Sequence, residues 1–284
     1  MYLWVEERKK IMMNSYSFTA IRSGRMLETY SFSLPIQLGL AGGGSGKKSA
    51  INKTSPMEVI EPERDYRKEH LQRVKRNIER LAFCNFDNKY TSLITLTYRV
   101  NITDLNIANN DFDKFIRRLN YTLQKLNRPA LKYICRPEFQ ERGAIHYHMV
   151  TNLRSFPFTS DVVREWRAAG TLPDAWKDEY NLNDLWHGND HSKGSVNLEP
   201  IKKGMSSVCS YLTDYLTKQT DDRLKQRKSF FTSQDLIKPV QIYESDAMQL
   251  LNRIEKRAKK ISSWSFTPES HTEQNIKYAK YIID

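Results

Sequence analysis

The chain has 284 residues, with 45 Lys and Arg against 33 Asp and Glu, a formal net charge of +12 and a pI near 9.5. That length supports one sizeable core with appendages, the basic balance favours a phosphate-rich partner, and 15 tyrosines add aromatic faces on which unpaired bases can stack. Cys84, Cys135 and Cys209 are too widely separated for a disulfide framework or a zinc ribbon; no apolar run approaches the ~18 residues of a membrane span, and Glu6, Glu7, Arg8, Lys9 and Lys10 interrupt any signal-peptide core, so a soluble cytoplasmic protein is expected.

Residues 1–60 are expected to form an N-terminal extension of weak periodicity around the Gly-rich loop Gly42–Gly46. A phosphate-binding P-loop would need glycine at 41 and a hydroxyl at 48. Ala41 and Lys48 stand there, so no ATP site is expected. From Glu63 to Leu81, Leu71, Val74, Ile78 and Leu81 recur at helical spacing among arginines and lysines, which predicts a helix with one packed face and one basic face. Ser92–Tyr98 is dense in β-formers and reads as an interior strand. Asn110 or Asp111 is then expected to cap a helix carrying Phe112, Phe115, Ile116, Leu119 and Leu123 on one stripe, ending near Asn127-Arg128-Pro129.

Leu131–Gln140 and Ile145–Thr151 read as two strands joined by Glu141-Arg142-Gly143. The parity of that turn matters, because a one-residue slip exchanges the faces of a strand. A three-residue loop with Gly143 in the left-handed conformation pairs Gln140 with Ala144 and therefore Glu138 with His146. Further on, Ser160–Ala169 reads as a short helix and the stretch to His191 as an irregular insertion. Gly194–Ile201 reads as a strand that Pro200 assigns to an edge or a strand end, and a helix is expected from Ser206 or Ser207 through Lys218. Residues 61–245 thus make the main domain, and 246–284 a basic helical tail around Leu250, Leu251, Ile254 and Ala258.

Two features carry chemistry. His146 and His148 alternate on one strand, so both side chains face the same way, roughly 6.5 Å apart, while Tyr147 faces the other side. With Glu138 they form a candidate metal site. On the expected helix, Tyr211 and Tyr215 lie at i and i+4, with Lys218 a turn beyond. Val208, Tyr211, Leu212, Tyr215 and Leu216 also make an ordinary apolar stripe, so a core role for both tyrosines stays open. His187 and His191 could hold a second metal, but Gly188 argues against a helix there and surface or DNA contact is expected instead. His70 and His271 read as solvated. Trp166 and Trp186 read as packing residues, with base stacking as the alternative.

The order of these motifs, Thr-Leu-Thr-Tyr98, Glu138, His146-Tyr-His148 and Tyr211-x-x-x-Tyr215-x-x-Lys218, resembles the HUH endonucleases, the rolling-circle replication initiators of small single-stranded DNA phages, plasmids and circular viruses. The resemblance covers about residues 80–240, including Asp111–Leu119, Cys135-Arg-Pro-Glu138 and Arg227–Ser233. It implies an α+β domain with a central antiparallel sheet of about five strands, in a ferredoxin-like, RRM-like arrangement with flanking helices. It implies a Mg²⁺ or Mn²⁺ ion held by His146, His148 and Glu138, and a tyrosine nucleophile, Tyr211, Tyr215 or both, assisted by Lys218 and forming a 5′-phosphotyrosine. Arg136, Arg142, Lys218, Arg227 and Lys228 are the implied DNA contacts. The implied activity is nicking and rejoining of single-stranded origin DNA, with a host helicase and polymerase as partners. A transposase or mobilisation relaxase is the near alternative. A non-catalytic single-stranded nucleic-acid-binding protein is the rival from another class.

Overall fold

The computed structural model describes residues 15–37, 66–86, 91–153, 181–200, 230–268 and 271–283. In chain order its elements are β1 (Ser15–Ser23), β2 (Met26–Gln37), α1 (Tyr66–Asn85), β3 (Ser92–Tyr98), α2 (Leu105–Lys125), β4 (Tyr133–Phe139), β5 (Ile145–Thr151), α3 (Leu182–His187), β6 (Lys193–Pro200), β7 (Phe231–Thr232), β8 (Val240–Tyr243), α4 (Glu244–Ile254), β9 (Ala258–Phe266) and β10 (Ile276–Ile283). They form two compact units, one spanning 67–238 and the other combining 1–66 with 239–284. No described helix is long and apolar enough to cross a membrane.

The sheet of the unit 67–238 runs β6-β3-β5-β4-β7, with every neighbouring pair antiparallel. This is the expected five-stranded α+β architecture. β3 shows how the sequence builds it: Ser92, Ile94, Leu96 and Tyr98 are buried while Leu93, Thr95 and Thr97 are half-buried, so period-two alternation divides the strand between two faces. The apolar face meets α2, whose Phe112, Phe115 and Leu119 pack on Leu96, Tyr147 and Met149 in one core. Each such side chain contributes about 1.5–3 kcal/mol of burial. The sheet ends at β6, an edge strand closed by Pro200, where a missing N–H costs least.

Two expectations in this unit are corrected. α2 begins one and a half turns before Asn110, because the carboxylate of Asp104 caps it by accepting the Asn106 N–H at 2.7 Å. Asp111 is instead buried inside the helix, accepting from the Tyr98 hydroxyl at 3.1 Å and pairing with Lys193 at 3.4 Å. The region before His191, expected to be irregular, contains α3, which Asn181 caps through the N–H groups of Asn183 and Asp184. Gly188, with φ of 54°, ends that helix rather than forbidding it. Trp186 on α3 is fully buried and its indole N–H donates to the Thr97 carbonyl at 2.8 Å, which establishes the packing reading for this tryptophan.

The second unit was not foreseen from the sequence. Its sheet runs β8-β1-β2-β10-β9, again all antiparallel, with α4 packed on one face through Ala247 against Ala20, Leu27 and Tyr281. The N-terminal segment therefore holds two strands, and the tail expected to be helical over 246–284 is helical only to Ile254 before becoming β9 and β10. The physical reason is long-range pairing: Tyr30 is the direct partner of Tyr278, and the two strands lie at opposite ends of the chain. The Gly-rich stretch 41–48, Trp166, Cys209 and the helices expected over 160–169 and 206–218 lie outside the described residues.

Candidate active site

The β4–β5 hairpin positions the candidate ligands. The Gln140 N–H donates to the Ala144 carbonyl at 2.8 Å, the Gly143 N–H donates to the Gln140 carbonyl at 2.7 Å, and Gly143 has φ of 87°. That is the three-residue turn that the parity argument requires. Glu138 is consequently the direct partner of His146, and Arg136 of His148. All four side chains lie on the sheet face turned away from α2, whereas Tyr147 points into the core and its hydroxyl donates to Asn109 at 2.7 Å. Arg142 clamps the turn by donating to the Tyr98 carbonyl at 2.8 Å and to the Gln140 side chain at 3.1 Å.

On this face His148 Nε2 lies 2.6 Å from Glu138 Oε2, and His148 Nδ1 lies 3.3 Å from the Thr95 hydroxyl on the neighbouring strand β3. Thr95 is the direct partner of His148. Sequence reasoning named Thr95 only as part of its strand; its signal is the alternation Thr95, Thr97, which puts hydroxyls on the ligand face. His146 Nε2 is buried without a hydrogen-bond partner. Burial, then the charges of His148 and Arg142, push the His146 imidazole down to about 4 against the pull of Glu138. His146 is therefore neutral at pH 7 and keeps a nitrogen lone pair for a ligand.

Arg136, 5% exposed, is also on this face, with Nε and Nη1 lacking partners. Burial lowers it to about 10 while Glu138 opposes the shift, so it remains cationic at neutral pH. A buried guanidinium with two unused donors can receive an anion. Arg142, by contrast, is exposed at the turn.

Among the described residues no three His, Cys, Asp or Glu side chains stand placed to hold a metal ion. As they are, Glu138 engages His148 and His146 stands beside them, with the two imidazole centroids 6.4 Å apart. The chemistry of the set nevertheless fits a divalent cation: one carboxylate, two imidazoles on the same face, and an orphaned buried nitrogen. His187, the other histidine once considered, has Nε2 2.7 Å from the Gly194 carbonyl, while His191 is exposed.

The tyrosines of this sheet are poor nucleophiles. Burial raises the phenols of Tyr98 and Tyr147, and pushes Tyr133 up to about 12, with nearby acidic groups adding to each shift. An attacking phenolate has to come from elsewhere. Tyr211, Tyr215, Lys218, Arg227 and Lys228 lie outside the described residues.

Residues 91–220 match the family model for the replication-associated protein of the ORF2 type. The match contains the hairpin with Glu138, His146 and His148 and also the segment with Tyr211, Tyr215 and Lys218. No curated protein and no solved structure gives a significant match.

Proposed function

Residues 91–220 belong to the replication-associated protein family, and from that premise we propose that the chain initiates rolling-circle replication by nicking and rejoining single-stranded origin DNA. The observation that carries this reading is the buried, unpartnered Nε2 of neutral His146 on the same sheet face as the Glu138–His148 pair. A core histidine would have its ring nitrogens satisfied.

His146, His148 and Glu138 are the residues that would hold a divalent cation, Mg²⁺ or Mn²⁺. When bound there, the ion supplies electrostatic stabilisation of charge developing on a phosphate oxygen. Thr95 fixes the orientation of His148, because its hydroxyl can either donate to or accept from Nδ1 as the histidine changes tautomer. Arg136 adds a fixed positive charge on the face where the phosphate would lie.

The attacking oxygen belongs to Tyr211 or Tyr215, with Lys218 one turn further along the expected helix to stabilise the phenolate. The phenol loses its proton, the Tyr oxygen bonds to phosphorus, and the bond to the 3′ oxygen breaks, leaving a 5′-phosphotyrosine and a free 3′-hydroxyl. Rejoining runs the same exchange in reverse, so the phosphodiester energy is retained in the protein linkage and no ATP is consumed. Unwinding and synthesis fall to a host helicase and polymerase.

The test is to incubate the chain with a labelled single-stranded origin oligonucleotide and Mn²⁺ or Mg²⁺. A protein-linked fragment and a free 3′-hydroxyl fragment are expected, both suppressed by chelator. Retained binding with no adduct under any divalent ion would leave a non-catalytic single-stranded DNA-binding protein.

A further inference from the structure

The second sheet carries a surface that the nicking chemistry does not use. On the face turned away from α4, Tyr30 of β2, Tyr278 of β10 and Trp264 of β9 are consecutive cross-strand partners. The Trp264 ring stacks on Tyr278 at 4.7 Å between centroids and 24° between planes, Phe266 follows 5.2 Å from Trp264, and Phe32 lies nearly parallel to Tyr30 at 14°. Rings in such a run normally serve a core. Here Trp264 and Phe266 are 46% and 42% exposed on an edge strand.

Charge accompanies the rings. Lys256, Arg257, Lys259 and Lys260 form a basic run at the entry to β9. Lys259 is the direct partner of Ile282 and exposed, so it stands on the aromatic face beyond a bulge that separates it from Trp264. The acid on this face, Glu28, is buried and accepts from the hydroxyls of Tyr30 and Tyr278. Its charge is thereby held under the rings.

We propose that this face is a second, sequence-tolerant binding site for single-stranded DNA, with Trp264 and Phe266 stacking on bases and Lys256, Arg257 and Lys259 contacting phosphates. The partner is chosen by the combination of features. Exposed π faces suit unpaired bases, which a duplex hides, and the adjacent cations suit a polyanion rather than an apolar protein groove. Such a site would hold the strand independently of the covalent step, and it does not depend on the nicking chemistry.

The experiment measures binding of the full chain to a fluorescent oligo(dT) by anisotropy across a salt series, in chelator so that nothing is cleaved. Replacing both rings, Trp264→Ala with Phe266→Ala, is expected to weaken binding by about tenfold or more for each stacked base lost, while affinity for a duplex of equal length stays unchanged. Lys256→Gln with Lys259→Gln is expected to flatten the slope of log affinity against log salt by about 0.7 for each phosphate contact removed. Trp264→Phe, which keeps a ring and guards against a folding artefact, is expected to retain most of the affinity. In the wild-type chain, a bromouracil oligonucleotide is expected to crosslink to the Trp264 peptide. Unchanged oligo(dT) affinity in the double-ring variant, or absence of that crosslink, would overturn the proposal. So would loss of self-association with no change in oligonucleotide binding, which would assign the face to a second copy of the chain.

Discussion

Glu138 and His146 are direct cross-strand partners across the turn that Gly143 closes at φ of 87°. Because side chains alternate with period two, that single register puts the carboxylate and both histidines on one face, and a slip of one residue would separate them. Gly143→Val puts a β-branched residue where left-handed backbone is required. It is expected to destabilise the protein by about 1–2 kcal/mol, measured as a lower urea midpoint with an unchanged slope. An unchanged midpoint would mean that the turn tolerates another geometry and that register is fixed elsewhere.

Thr95 tests whether the face acts as a ligand set or as ordinary polar surface. Thr95→Val is nearly isosteric but removes the hydroxyl that meets His148 Nδ1 at 3.3 Å. If His148 is a ligand, losing the group that orients it should weaken Mn²⁺ affinity about 10–100-fold, the range seen for such outer contacts. Calorimetric titration measures this, with oligonucleotide binding in chelator as the unaffected control. His148→Ala should remove cleavage altogether. Equal Mn²⁺ affinity in Thr95→Val and wild type would detach Thr95 from the site.

The depressed imidazole of His146 makes a pH prediction for the metal-free protein. Its folded value near 4 lies below the ordinary 6.5. Above pH 6.5 both the folded and unfolded forms are neutral, so the histidine adds no pH dependence. As the pH falls from 6.5 toward 4, the unfolded chain takes up a proton that the folded site resists, so stability declines through that window and levels off below it. In chelator, the wild-type melting temperature should therefore drop more between pH 7 and about pH 4.5 than that of His146→Gln. Parallel drops would show that the imidazole is not desolvated.

Legibility followed the range of the interactions. β3 and the β4–β5 hairpin were readable because period-two patterning and a three-residue turn are local, and the register of Glu138 with His146 follows from counting. The start of α2 was misplaced because Asp104 and Asp111 are both plausible caps by type; only the tertiary pull of Tyr98 and Lys193 on Asp111 decides between them. The second sheet was missed for a different reason. Its strands β2 and β10 pair across nearly the whole chain, and the basic-apolar mixture around Leu250 and Ala258 imitates a helix. Yet Tyr30-Ser-Phe32-Ser-Leu34 alternates ring or apolar group with hydroxyl, and that pattern was available as a strand signal.

The nucleophile is the sharpest remaining prediction, because the described tyrosines argue against themselves. Tyr98, Tyr133 and Tyr147 are buried or partly buried with raised phenol values, and Tyr147 is tied to Asn109, so none can readily present a phenolate to the face that carries His146 and His148. Tyr211 and Tyr215 share one helical face by spacing and fall within the matched segment 91–220. Replacing tyrosine by phenylalanine keeps the ring and its packing while deleting the attacking oxygen, which separates a catalytic tyrosine from a core one. The double variant Tyr211→Phe, Tyr215→Phe is expected to melt within a few degrees of wild type, to bind single-stranded DNA, and to form no covalent adduct on a denaturing gel. A single variant that nicks but fails to circularise the replicon would show that the two tyrosines alternate, whereas a single variant indistinguishable from wild type in both steps would leave one tyrosine as the sole nucleophile. A phosphotyrosine-linked product from the double variant would place the attacking oxygen on another residue.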